Sequence, residues 1–242
     1  MNGAYTATVR QLLDIAPVVF TTPHFAIKGG TALNLFLHNL PRLSVDIDVV
    51  FTNHSLGRED ALQAIAAELS AVSQKLEAIG YEVRQRRNSA SNETRLMVVG
   101  PCAEVKVEVN EVFRGTLLPL QQRPLSPATE EAFAQAVTLP LLATAELYGS
   151  KLVAAMARQH PRDLFDVLIL YNDTGLTPEI VLTWDAVMQK LHNPGGAPAI
   201  QSAGCGSSPF TSNCLRRKWC TVLSSRQRIE TFWPLASSCT ST

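Results

Sequence analysis

The sequence predicts an α+β fold: a mixed sheet with flanking helices, followed by a helical C-terminal part. Three observations predict it. Strand-like runs that alternate apolar and polar residues concentrate before residue 110. One helix-like stretch separates the first two of them, and the later strands follow one another with short links, which is the order of a mixed sheet rather than of repeated strand–helix units. From about residue 126 to residue 192 the pattern is helical. With 242 residues, 46% of them hydrophobic, the chain can bury a real core in one large domain or two small ones.

The elements follow in order. Residues near 5–20 read as a helix, broken around Pro17 or at Thr21-Thr22-Pro23. "HFAI" is a short strand and Gly29-Gly30 a turn. "TALNLFLHNL" is a helix ended by Pro41, and "SVDIDVVF" a strand. Arg58 to Ile79 is the clearest helix: Leu62, Ile65, Leu69, Val72, Leu76 and Ile79 recur at steps of three and four, and Gly80 supplies the C-terminal cap. "YEVRQRR", "TRLMVV" and "AEVKVEV" are three strands. "LSPATEEAFAQAV" is a loop and then a helix. "LPLLATAELYGSKLVAAMARQ" reads as one helix closed by His160-Pro161. "RDLFDVLILYND" and "TPEIVLTWDAVMQKLH" are the last two. These divide the chain into a head, residues 1–125, a helical part, 126–192, and an atypical tail, 193–242.

Charge and composition exclude some classes. The formal net charge is zero, so no global basic field announces nucleic acid. No apolar run is long enough to span a bilayer, and the N-terminus alternates too finely for a secretory segment. The expectation is a soluble, cytoplasmic protein. Five cysteines, without metal-ligand spacing, fit no disulfide framework or zinc site. Four of them, Cys205, Cys214, Cys220 and Cys239, lie in the tail, which holds five basic residues and only one acidic one, Glu230. The tail shows no sustained period. Its composition reads as an ending foreign to the body, through a frameshift or truncation. A disordered Ser-rich tail and a basic nucleic-acid arm around "RRKW" are the alternatives.

"SVDIDVVF" carries the chemistry. On a strand, Val45, Ile47, Val49 and Phe51 face one way and Asp46 and Asp48 the other. Two carboxylates on one face repel unless a cation neutralises them, and oxygen ligands of this kind suit Mg²⁺ or Mn²⁺. The plainer alternative is a solvated strand face. "AEVKVEVN" alternates as well, placing Lys106, Glu108 and Asn110 together. Beside the first strand, Glu108 would complete a three-carboxylate cluster of the kind that holds paired metals for phosphoryl displacement; Glu104 is a weaker competitor. A glycine turn opening a helix lets backbone N–H groups approach phosphate oxygens, which gives Gly29, Gly30 and Thr31 a nucleotide-binding reading beside that of a mere tight turn. The segment is not a P-loop, because it lacks the Gly-Lys-Ser/Thr ending.

Glycine turn, short helix and a strand bearing Asp-x-Asp resemble the nucleotidyltransferase superfamily of polymerase β-like fold. More narrowly, "FAIKGGTALNLFL…LPRLSVDIDVVF" looks like the AbiEii/AbiGii toxin family, relatives of the MenT toxins. The family pattern is matched at Lys28, Gly29, Gly30, Thr31, Ala32, Leu33, Arg42, Ser44, Asp46, Ile47 and Asp48. A second motif, "ELYGSKLVAAMARQHPRDLFDVLIL", resembles the family's lysine helix followed by "pRDlyDl". It supplies Lys151, Arg158, Arg162, Asp163 and Asp166. The match runs from about Phe25 to Tyr171 and then fades.

The resemblance implies a nucleotidyltransferase toxin of a toxin–antitoxin or abortive-infection system. It would move a nucleoside monophosphate from an NTP to an acceptor hydroxyl, the 3′ end of tRNA, opposed by a separately encoded antitoxin. The implied metal ligands are Asp46, Asp48 and Glu108, with Mg²⁺ bridging the phosphates and a second ion, shared with Glu108, acting on the acceptor hydroxyl. Lys151 and Asp163 would complete the catalytic set, Lys151 as a point charge on the triphosphate. Arg42, Ser44, Arg162 and Asp166 would line the nucleotide. Several residues of the second motif have a structural alternative. Lys151 could snorkel to solvent, Asp163 and Asp166 could cap a helix, and Arg158 and Arg162 could simply be exposed. Arg84, Arg86 and Arg87 are candidate phosphate contacts or the charges of a solvated edge strand. A small-molecule nucleotidyltransferase and a non-catalytic nucleotide-binding protein are the competing functions.

Overall fold

The computed structural model describes residues 3–88 and 93–192. They fall within one compact unit, Met1–Ile200. The tail expectations, for residues 193–242, lie outside the described residues. The architecture is a mixed sheet with flanking helices, as the sequence predicts, with seven strands where the sequence reading gives five. The strands are β1 (Phe25–Lys28), β2 (Asp46–Phe51), β3 (Glu82–Asn88), β4 (Glu93–Val99), β5 (Glu104–Arg114), β6 (Gln121–Pro124) and β7 (Thr138–Leu141). Their order across the sheet is β3-β4-β5-β2-β1-β7-β6. Two neighbouring pairs, β2–β5 and β1–β7, are parallel, and the rest are antiparallel.

One face of the sheet is apolar. Ile47 and Val49 of β2, Leu96 and Val98 of β4, and Val105, Val107 and Val109 of β5 are fully buried. Over them lie α1 (Gly3–Val19) and α3 (Arg58–Ala78). Helix α1 brings Val9, Leu12, Ile15 and Ala16, and α3 brings Ile65, Leu69, Val72 and Leu76. Each such Leu, Ile or Val contributes roughly 1.5–3 kcal/mol relative to an exposed one. The α3 stripe is Ala61, Ile65, Leu69, Val72 and Leu76. The expected ends of that stripe, Leu62 and Ile79, turn out half-buried and exposed. Helix α1 is not broken at Pro17, which sits in its last turn; Phe20 N still donates to Ala16 O at 3.0 Å.

After β1 the chain enters α2 (Gly29–Thr31), which passes straight into a π-helical stretch, Ala32–Leu37. The two glycines therefore form the first turn of the helix rather than a separate turn before it, and the helix ends at His38, short of Pro41. The expected single helix from Leu139 is a strand and then a helix. Leu139 and Leu141 alternate into the core, Ile27 pairs with Leu141, and Leu142 N donates to Ile27 O. Pairing to β1 and β6 outweighs the helical look of the run. Strand β6, polar and alternately exposed at the sheet edge, carries no apolar pattern and was not expected.

The remaining helices are α4 (Pro127–Phe133), α5 (Thr144–Arg158), α6 (Pro161–Asp173) and α7 (Pro178–His192). Helix α5 packs on α6, on α7 and on the Gly29–Leu37 helix, which brings the second sequence motif to the glycine segment. Gly149 makes the α5–α7 approach possible: a Cβ there would stand 2.6 Å from Thr183 Oγ1 and 2.7 Å from Trp184 N. Among the described residues no helix is long and apolar enough to cross a membrane.

Candidate active site

The polar face of the sheet holds Asp46 and Asp48, as the alternation of β2 requires. Lys28 is in register with Asp48, so the glycine segment that follows Lys28 starts beside that carboxylate. Gly29 has φ +75°, and a Cβ on it would lie 2.1 Å from Asp48 Oδ2. Only glycine satisfies both conditions. A Cβ on Gly30 would lie 2.7 Å from Arg42 Nη2 and 3.2 Å from Ser44 Oγ. The two glycines are thus where the helix start passes closely over Asp48 and over the segment leading into β2. Thr31 fastens that arrangement. Its hydroxyl donates to the Asp46 carbonyl and shares a 2.9 Å hydrogen bond with Ser44 Oγ. The Thr31 side chain is therefore committed within the protein, and the first-turn amides are what the segment can offer a phosphate.

Burial pushes the Asp48 carboxyl up to about 6; Lys28 and Lys151 pull it down, and Glu108 and Asp46 push it further up. A carboxylate sheltered beside two others, with its oxygen packed against a glycine, is a group that a cation would relieve. The donor set therefore fits a hard divalent ion at Asp46 and Asp48.

Glu108 is in register with Asp48, and Lys106 with Asp46. The three carboxylates do share one face, but they do not converge. Among the described residues, no three His, Cys, Asp or Glu side chains gather as a metal-holding group. Glu108 is turned to cations: Lys106 Nζ lies 3.3 Å from its Oε2 and Arg95 Nε 2.5 Å from its Oε1. Lys106 Nζ also lies 3.5 Å from Asp46 Oδ1. Desolvation works against the Lys106 charge, but Asp46 and Glu108 outweigh it and hold the ammonium above the ordinary lysine value. Glu104 stands a step away, exposed, opposite Val99.

A second charged cluster joins the two motifs. Arg42 grips Asp166 with both arms, Nε to Oδ1 at 2.8 Å and Nη2 to Oδ2 at 2.7 Å. Lys151 Nζ lies 3.0 Å from both Asp163 Oδ1 and Asp166 Oδ2. Arg158 closes the outer side, 3.0 Å from Asp163 Oδ2. Asn34, buried on the π-helical stretch, donates to Gly30 O at 2.8 Å and to Asp166 Oδ1 at 3.2 Å. Lys151 does not snorkel: its side chain is 8% exposed, and that of Asp166 1%. Burial alone would raise the Asp166 carboxyl, but the Arg42 hydrogen bonds and the Lys151 charge hold it below its ordinary value.

Neither aspartate caps α6. His160 is the cap residue, its Nδ1 accepting from Arg162 N, with Pro161 next. Arg162 is exposed. On β3, Arg84 and Arg86 are exposed on the carboxylate side of the sheet, Arg86 opposite Arg95; the Arg87 side chain lies outside what is described. Sequence reading missed Asn34, Arg95 and any role for Lys106. The signal for Arg95 and Lys106 was strand alternation, which already placed Lys106 with Glu108. For Asn34 it was one amide inside the apolar run "ALNLFL".

Two comparisons place the chain among known proteins. A protein-family model described as nucleotidyl transferase AbiEii toxin, type IV TA system, covers residues 11–223. That span exceeds the resemblance visible by eye at both ends and takes in residues 193–223 of the stretch whose composition departs from the body. No curated protein matches. Among solved structures, MenT4, a nucleotidyltransferase toxin from Mycobacterium tuberculosis H37Rv, superposes with a TM-score of 0.57 at 21% identity, over 78% of this chain and 67% of that one. At that identity the likeness is one of fold, and the fold is the mixed sheet that carries Asp46 and Asp48. With the family model spanning most of its length, the chain belongs to the AbiEii nucleotidyl transferase toxin family of type IV toxin–antitoxin systems.

Proposed function

We propose that the protein transfers a nucleoside monophosphate from an NTP to the 3′ hydroxyl of tRNA, with Mg²⁺ or Mn²⁺ at Asp46 and Asp48. One observation carries this reading: the first helical turn, Gly29-Gly30-Thr31, lies so close over Asp48 that a single methyl group would not fit between them. A triphosphate resting on the amides of that turn meets the carboxylates at the same place. The divalent ion supplies charge neutralisation for the phosphates.

The chain's own groups do the rest. Asp46 and Asp48 would hold the ion, and Thr31 and Ser44 tie β2 to the helix start. Lys151 is near enough for its charge to be felt at Asp48, and with Arg42 it would face the triphosphate. Asp163 and Asp166 hold those two cations in place, so the positive charge is set before the nucleotide arrives. The acceptor oxygen attacks the α-phosphorus in line; its bond to phosphorus forms as the bond to the bridging oxygen breaks, the hydroxyl proton passes to water, and pyrophosphate leaves. The exposed Arg84 and Arg86 on the carboxylate side of the sheet support a polyanionic acceptor.

The test is nucleotide transfer by the full chain, with Mg²⁺, total tRNA and each labelled NTP in turn, beside an Asp46→Ala/Asp48→Ala control. Label on tRNA with one nucleotide, lost in the control, supports the proposal. Label on a small alcohol but none on tRNA would replace the acceptor. No label at all from a folded chain would leave a nucleotide-binding protein without turnover.

A further inference from the structure

The three carboxylates of the sheet face are not equally free. Asp46 and Asp48 follow one another on β2, whereas Glu108 is engaged on both of its oxygens, Oε2 by Lys106 at 3.3 Å and Oε1 by Arg95 at 2.5 Å. The Lys106 ammonium also reaches Asp46 Oδ1 at 3.5 Å. It thus bridges β2 and β5 between the Asp46 and Glu108 carboxylates. This is built into the strand pairing, since Lys106 stands directly opposite Asp46 and Arg95 directly opposite Glu108. The site is partly sheltered, with the Glu108 side chain 18% and the Lys106 side chain 31% exposed, so the water that would screen two neighbouring cations is reduced. A divalent ion between Asp46 and Glu108 would displace the ammonium and break both of its ion pairs.

We propose that Lys106 takes the place of a second metal ion: the site binds one divalent cation, at Asp46 and Asp48, and the Lys106 ammonium supplies the positive charge on the Glu108 side. Glu108 is then a positioning residue, held by Arg95 and holding Lys106, rather than a metal ligand. The ammonium also occupies Asp46 Oδ1 and leaves the other Asp46 oxygen to the metal. The inference rests on the metal-dependent reading above.

The experiment is a Mn²⁺ titration of the full chain, with free Mn²⁺ followed by its electron paramagnetic resonance signal and folding checked by circular dichroism. One Mn²⁺ is expected per wild-type chain. Lys106→Met, which keeps the volume and removes the charge, is expected to take two, and Lys106→Arg, which restores a cation, to return to one. Glu108→Gln should leave the wild-type ion in place, and Asp48→Asn should lose it. Two Mn²⁺ on the wild-type chain overturn the proposal whatever the variants do, and so does a folded Lys106→Met chain that still takes one. Loss of the single ion in Glu108→Gln overturns it too. A wild-type chain that binds no Mn²⁺ overturns the metal-dependent reading itself, and this inference with it, which separates the two failures.

Discussion

At the scale of single residues, Gly29 and Asp48 act as one unit. Gly29→Ala must place a methyl group on a residue at φ +75° and against the Asp48 carboxylate. The backbone term alone costs about 1–2 kcal/mol, and Asp48 has to turn away. We expect a folded protein with a lowered melting temperature and at least tenfold less transfer, measured by thermal denaturation and by labelled-nucleotide incorporation. Asp48 also sets a pH dependence. Its carboxyl is raised from 3.8 to about 6, so the folded chain holds that proton more tightly than the unfolded one. Its contribution to stability is therefore fully present below about pH 4 and is lost as pH rises through about 6. With metal chelated, Asp48→Asn should stabilise the protein at pH 8 and change little at pH 4, in parallel urea titrations. In wild type, Mn²⁺ affinity should fall steeply below pH 6, because the ion competes with that proton; a flat affinity between pH 5 and 8 would contradict this. Both aspartates were legible in the sequence because strand alternation is strict and two apolar neighbours flank each acid. The close fit of Gly29 was not, since no spacing rule reports which side chain passes over a glycine.

At the scale of elements, the buried ion cluster binds α5 to α6. Lys151 has two buried carboxylates as partners, and removing it leaves both without that countercharge. Lys151→Met is expected to destabilise by about 3–5 kcal/mol, read from the urea midpoint. Arg158→Ala removes a mostly exposed partner of Asp163 and should cost no more than about 1 kcal/mol. The contrast matters because both residues belong to the same motif. From sequence, Lys151 is a basic residue among small apolar ones, and its partners are named only by the resemblance; that they are Asp163 and Asp166 together, with His160 doing the capping, depends on how α6 is rotated. The elements themselves were legible where one period ran long, as in α3, whose stripe shifts only at its two ends. They were not legible where pairing decides the outcome. The Leu139–Leu142 run is short and apolar in either state, and β6 is a polar edge strand whose only strand signal is its partner.

At the scale of the whole molecule, Arg42 and Asp166 lie 124 positions apart in sequence, yet they make a two-armed tie between the two motifs. A double-mutant cycle on Arg42→Ala and Asp166→Asn should give a coupling of about 0.5–3 kcal/mol, from denaturation of the four proteins. Additivity would show that the two halves of the site are held independently. The sheet has the same long reach: its central strands β2 and β1 take their outer partners, β5 and β7, from residues 104–114 and 138–141. This wiring has a consequence for synthesis. A nascent chain that has emerged only through the glycine turn and the two aspartates holds half of a site, without the strand that flanks Asp46 and without the helices that fix Lys151 and Arg42. Long-range pairings of this kind are made late in folding, and a ribosome adds only about 5–20 residues each second. Translation products that stop before α6 are therefore expected to show no nucleotide transfer in the labelled-nucleotide assay.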